Sequence, residues 1–122
     1  MGRRIAATLL LLGIVAISVS FSAETEDGLT VYRRVEVKNH SLHLELLIDN
    51  PTKAKLEQSI QLLVRKYGKR KRLQIDIFDD LEALQRRGDE TYPTKLVYSH
   101  WLVSITNEKI NHFYLKERPE ME

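Results

Sequence analysis

The chain contains no cysteine. That removes disulfides, a thiol nucleophile and the attachment residue of a bacterial lipoprotein in one step. Glycine is scarce too, with five in 122 residues, so an active loop built on glycine is not expected. Gly-x-Ser-x-Gly, His-Glu-x-x-His and the phosphate-cradling glycine loop are all missing. Charge of one sign is not in excess. The formal net charge is +2, and Arg3 and Arg4 account for both units; seventeen basic side chains then face seventeen acidic ones. A near-neutral body gives no reason to expect a nucleic-acid partner. Aromatic residues make up 7% of the chain, with a single tryptophan, Trp101.

One long apolar run is present. Ile5 to Ala23 follows the pair Arg3-Arg4, is rich in leucine from Leu9 to Leu12, and ends in small residues. A charged start, an apolar middle and a small-residue end describe an export signal. Ser20-Phe21-Ser22 suits cleavage before Ala23, and Ser18-Val19-Ser20 is a second option. The expected division is a signal peptide over 1–22 and one small domain over 23–122, with an uncleaved anchor helix as the alternative. About 20 apolar residues span a bilayer, so the membrane would be met only through residues 5–23. The body is expected outside the cytoplasm, in the periplasm or the extracellular space. Small secreted animal domains are commonly stapled by disulfides, so an exported chain without cysteine points to a bacterial source.

Periodicity supplies the fold. Leu29 to Lys38 and Ser41 to Asp49 alternate and read as a hairpin around Asn39-His40. That register sets Glu36 opposite His43 and Arg34 opposite Glu45. Leu56, Ile60, Leu63, Val64 and Tyr67 share one helical face, capped by Asn50 or Thr52 and ended by Gly68. Arg72 to Phe78 reads as a strand, and Asp79 to Gly88 as a short helix. Lys95 to Ile105 and Lys109 to Lys116 read as a second hairpin around Asn107-Glu108, with a frayed tail after it. The predicted class is α+β: about five strands, mostly antiparallel, in the order β-β-α-β-α-β-β, with one long helix on one face and a signal helix before it. The strands joined by the long helix should run parallel.

From about Val35 to Leu115 the chain resembles small bacterial exported α+β domains. The likeness is carried by Gln74 to Asp80, with its Ile-Asp-Ile-Phe-Asp-Asp strand end, and by Tyr92 to Tyr114. It implies fold and export, and it brings no activity with it.

Three constellations could carry function. The second hairpin is apolar on both faces, so one face needs a cover, and Tyr98 and Trp101 are its candidate partner contacts. The covering partner would be a second copy of the chain or an envelope protein. The basic run from Arg65 to Arg72 is the second constellation. Lys69, Arg70, Lys71 and Arg72 could meet an anionic membrane or envelope polymer, although cations at a helix end also serve the helix dipole. The third is the trio His43, Glu45 and Asp76, which can share a face if their strands are neighbours. It would suit a small metal-assisted hydrolase, but a surface charge ladder explains it more simply. The acidic cluster Asp76, Asp79, Asp80 and Glu82 lacks the alternation and glycine of a calcium loop. The leading expectation is a non-enzymatic binding or interaction module with no catalytic residues, no metal and no cofactor.

Overall fold

A computed structural model of the chain describes residues 17–21 and 24–121. The segment expected to be the signal lies largely outside the described residues. Its final part, Ile17–Phe21 (β1), expected as the end of a signal helix, is instead an edge strand paired antiparallel with the strand Leu29–Val37. The strands Thr25–Glu26 (β2), Leu29–Val37 (β3) and Ser41–Leu47 (β4) follow, then the helix Lys53–Tyr67 (α1) and the strand Arg72–Phe78 (β5). The helices Leu81–Gln85 (α2) and Thr94–His100 (α3), the strands Trp101–Thr106 (β6) and Ile110–His112 (β7), and the helix Phe113–Glu117 (α4) complete the chain. One sheet runs in the order β1-β3-β4-β5-β6-β7, with β2 also on β3. Among the described strands only the β4–β5 pair is parallel, and α1 makes the crossover between them. The architecture is α+β with a mostly antiparallel sheet.

Helix α1 begins where Thr52, in extended conformation, accepts the Lys55 N–H on its side-chain oxygen at 3.1 Å. Its stripe of Leu56, Ile60, Leu63 and Tyr67 is buried against Leu44, Leu46, Ile75 and Ile77 of the central strands. Tyr114 and Met121 join the same core, so the tail is tied down rather than frayed. Gly68 caps the helix with its N–H donating to the Val64 carbonyl, and a Cβ there would stand 2.5 Å from that oxygen.

Thr25 to Leu29 form a tight hairpin that turns on Asp27 and Gly28, both at positive φ. The loop between β3 and β4 is three residues, Lys38 to His40, because Val37 pairs with Ser41. That one-residue difference puts Val35 opposite His43 and Arg33 opposite Glu45, and turns Arg34 and Glu36 to the helix side. A register shift between Val31 and Arg33 lets Leu29 and Val31 stay in the α1 core all the same.

The stretch Lys95 to His100, expected as strand, is instead helix α3. Pro93 and Thr94 start it, and only Val97 is buried, while Leu96 and Tyr98 face outward. Lys109 to Lys116 likewise yields a three-residue strand followed by α4. The two-sided apolar pattern there belonged to short helices, so the sheet needs less cover than the sequence implied. A second, smaller core forms on the face away from α1, where Phe78, Ala83, Leu84 and Val97 pack with Tyr32, Leu47, Tyr92 and Trp101.

Candidate functional site

The face away from α1 divides into two parts. Helices α2 and α3 cover the end of β5 at Phe78. Beyond them the sheet presents polar side chains. Parallel register sets His43 beside Gln74 and Glu45 beside Asp76, and β6 adds Ser104 opposite Asp76. This is the trio that the sequence reading placed together. Its burial was not foreseen: Asp76 is 1% exposed and Glu45 is 6% exposed, so neither belongs to a surface ladder.

Two adjacent buried carboxylates need a counter-charge. It comes from Arg87, in the turn after α2, which no periodicity marks. Its Nη2 lies 2.6 Å from Glu45 Oε2 and its Nη1 lies 3.2 Å from Asp76 Oδ2. The guanidinium stacks 4.7 Å above the Trp101 ring and 5.4 Å from that of Phe78, an arrangement suited to a weakly hydrated planar cation. Gly88, at positive φ, lets the chain turn immediately after it.

The two oxygens of Asp76 have different surroundings. Oδ1 accepts from Gln74 Nε2 at 2.8 Å and from Trp101 Nε1 at 3.2 Å. Oδ2 stands 3.2 Å from Arg87 Nη1 and 3.6 Å from His43 Nε2, with no well-aligned hydrogen bond to either. The Nε2 atom of His43 is also buried without a hydrogen bond, 3.6 Å from Asp76 Oδ2 and 3.6 Å from Glu45 Oε2. Burial alone would raise the Asp76 pKa; the neighbouring His43 imidazole, Arg87 guanidinium and Gln74 amide outweigh it and hold the carboxyl below its usual value.

Trp101 links this cluster to the surface. It stacks on buried Phe78 at 5.5 Å and on Tyr98 at 5.5 Å, and Phe113 meets both Trp101 and Tyr98 edge-on. Tyr98 is 40% exposed, and Leu96 and Leu115 are exposed as well. A hollow of about 260 Å³ lies against these rings, lined by Arg87, Tyr92, Tyr98 and Trp101 among others. The two predicted contacts, Tyr98 and Trp101, are therefore in direct contact with each other.

The basic run splits. Lys66 pairs with Glu26, and Arg70 lies 2.5 Å from Glu36 while donating to the Lys38 carbonyl. Both cations sit over the Tyr67 ring. Lys69, Lys71 and Arg72 are exposed. They are held on a braced loop, since Lys71 and Arg72 donate backbone N–H groups to the His40 carbonyl.

The acidic cluster after β5 disperses into separate roles. Asp79 receives His100 Nδ1 at 2.7 Å and Arg118 Nη1 at 2.8 Å. Asp80 caps α2 by accepting the Ala83 N–H. Glu82 pairs with Arg86. His112 packs on Tyr114. No known protein family, curated protein or solved structure matches the chain.

Proposed function

We propose that this chain is an exported, non-enzymatic interaction module whose contact surface is the aromatic ledge of Tyr98 and Trp101. The observation that carries the reading is the stack from Phe78 through Trp101 to Tyr98. Phe78 is fully buried and Tyr98 is exposed, so an outward aromatic surface rests on a rigid base. Pre-positioned aromatic rings lose little entropy when a partner covers them, and such rings dominate interface energetics. Leu96 on α3 and Leu115 on α4 are exposed as well.

The partner of first choice is a second copy of the chain. An isologous contact needs only one self-complementary patch, and α3 and α4 place all the exposed apolar side chains named here on neighbouring short helices. Export is supported by the run Ile5 to Ala23 behind Arg3-Arg4. The non-enzymatic reading is supported by the pairing of both buried carboxylates with Arg87, which leaves neither as a free general base.

Trp101 is the only tryptophan, so its emission reports directly on the ledge. The expected result is a blue shift as the full chain is concentrated, lost in Tyr98→Ser and Leu96→Ser. A spectrum independent of concentration and of these substitutions would contradict self-association through this surface.

A second reading has its own observation. Lys69, Lys71 and Arg72 project from one braced loop and make no ion pair among the described residues. Such a loop suits an anionic envelope surface, held weakly and released by salt.

A further inference from the structure

We propose that His43, Glu45 and Asp76 form a zinc site in which Arg87 occupies the cation's place until the metal arrives. The site lies on the polar half of the sheet face and meets the Tyr98–Trp101 ledge through Arg87, which touches both.

Three donor atoms, one from each side chain, lie within 4.8 Å of one another. Two features distinguish them from an ordinary salt-bridge cluster. The Oδ2 atom of Asp76 and the Nε2 atom of His43 are both buried without a well-aligned hydrogen bond, Oδ2 meeting the Arg87 charge at 3.2 Å and Nε2 meeting two carboxylate oxygens only at longer range. Buried polar atoms of this kind are rare unless something else satisfies them. Moreover, His43 Nε2 stands 3.6 Å from each carboxylate oxygen. That spacing is long for a hydrogen bond and close to the ligand–ligand edge of a tetrahedral zinc site, about 3.4 Å for metal–ligand bonds of about 2.05 Å. Closing the triangle takes only small side-chain movements.

The donor set selects the metal class. One imidazole with two carboxylates suits zinc better than calcium, which takes six or more oxygen ligands. Three protein ligands leave a fourth position for solvent. Access is from the His43 side, where an open hollow of about 250 Å³ is lined by Ser41, His43, Arg72 and Gln74 among others. Gln74 and Trp101 hold Asp76 Oδ1 and so leave Oδ2 turned toward His43 Nε2 and Arg87.

Arg87 is the competitor. Its single positive charge lies against both carboxylates in the metal-free protein. A divalent cation beside it would place excess positive charge in a buried space, so zinc entry displaces the guanidinium. Arg87 also lines the aromatic hollow, which gives it somewhere to go. A structural salt bridge makes no such prediction about metal affinity, and the sign of the Arg87 effect separates the two.

The test is titration of zinc chloride into the full-length, EDTA-stripped protein, followed by calorimetry, with calcium chloride as the control cation. The wild-type chain should take one zinc with affinity on the order of micromolar, and calcium far more weakly. Arg87→Gln should tighten zinc by about tenfold or more while lowering the melting temperature of the metal-free form. His43→Ala, at a half-exposed position, should lose zinc binding with the fold intact, and Asp76→Asn should lose it too. Absence of one-to-one zinc binding by the wild-type chain would overturn the proposal. So would undiminished binding in His43→Ala, tighter binding of calcium than of zinc, or weaker zinc binding in Arg87→Gln.

Discussion

Glu45 and Asp76 are direct neighbours on the parallel strands β4 and β5, and both are buried. Like charges so placed repel, and the polar face of the sheet holds together because Arg87 spans the pair from above Trp101. A strand-to-strand relationship thereby fixes the turn after α2 and the aromatic stack beneath α3.

Removing that bridge leaves two buried charges uncompensated. Arg87→Ala should destabilise the protein by about 3 to 5 kcal/mol, the usual cost of breaking a buried pair from one side. Urea denaturation of the metal-free protein would measure it. A loss below about 1 kcal/mol would mean that the carboxylates find other partners.

The pH dependence follows from the lowered pKa values of Asp76 and Glu26. Burial opposes each ionised carboxylate, but His43, Arg87 and Gln74 around Asp76, and Lys66, Arg34 and Tyr67 around Glu26, more than offset it. A carboxyl depressed on folding contributes stability that is present above its unfolded pKa, about 4, and lost as pH falls through the folded value. Stability should therefore hold from neutral pH down to about 5 and decline below about 4. Asp76→Asn should flatten part of that decline, as read from melting temperatures across the range. An unchanged acid limb in this variant would show that Asp76 ionisation is not coupled to folding.

Gly68→Ala tests the end of α1. Alanine ordinarily favours a helix, but here its Cβ would lie 2.5 Å from the Val64 carbonyl oxygen. The substitution should cost about 1 to 3 kcal/mol, as overpacking does. A stabilised variant would show that α1 extends by another turn without resistance.

The basic loop gives a prediction that separates structure from binding. Lys69→Glu with Lys71→Glu should abolish salt-sensitive co-sedimentation with vesicles containing phosphatidylglycerol, and leave the melting temperature unchanged. Arg70→Ala should lower the melting temperature, since Arg70 pairs with Glu36 and covers Tyr67. Equal vesicle binding by the double variant would remove the anionic-surface reading.

Much of this fold is legible in the sequence because its periods are clean. The stripe of α1, the inward Leu73, Ile75 and Ile77, and the parallel crossover all follow from spacing. The β3–β4 register is not legible to one residue, because Lys38 adopts positive φ and lengthens the loop, and the register shift near Tyr32 resets the alternation. The Asp27-Gly28 turn carried a strong hairpin signal, yet its strand β2 has only two residues and shows no alternation. Lys95 to His100 has apolar residues that fit strand or helix equally. Tertiary contact decides it, through Val97 packing on Phe78.

The site shows the same limit. His43, Glu45 and Asp76 could be placed together from strand order alone. That they are buried, and that Arg87 joins them, depends on how α2 and α3 fold back over the sheet.

The central claim is that the Tyr98–Trp101 ledge is an association surface. Light scattering on the full-length chain at two salt concentrations, beside the Tyr98→Ser variant, tests it most directly. The account predicts a dimer at both salts for the wild-type chain and a monomer for the variant. A monomer for both, or the same larger mass for both, would contradict it.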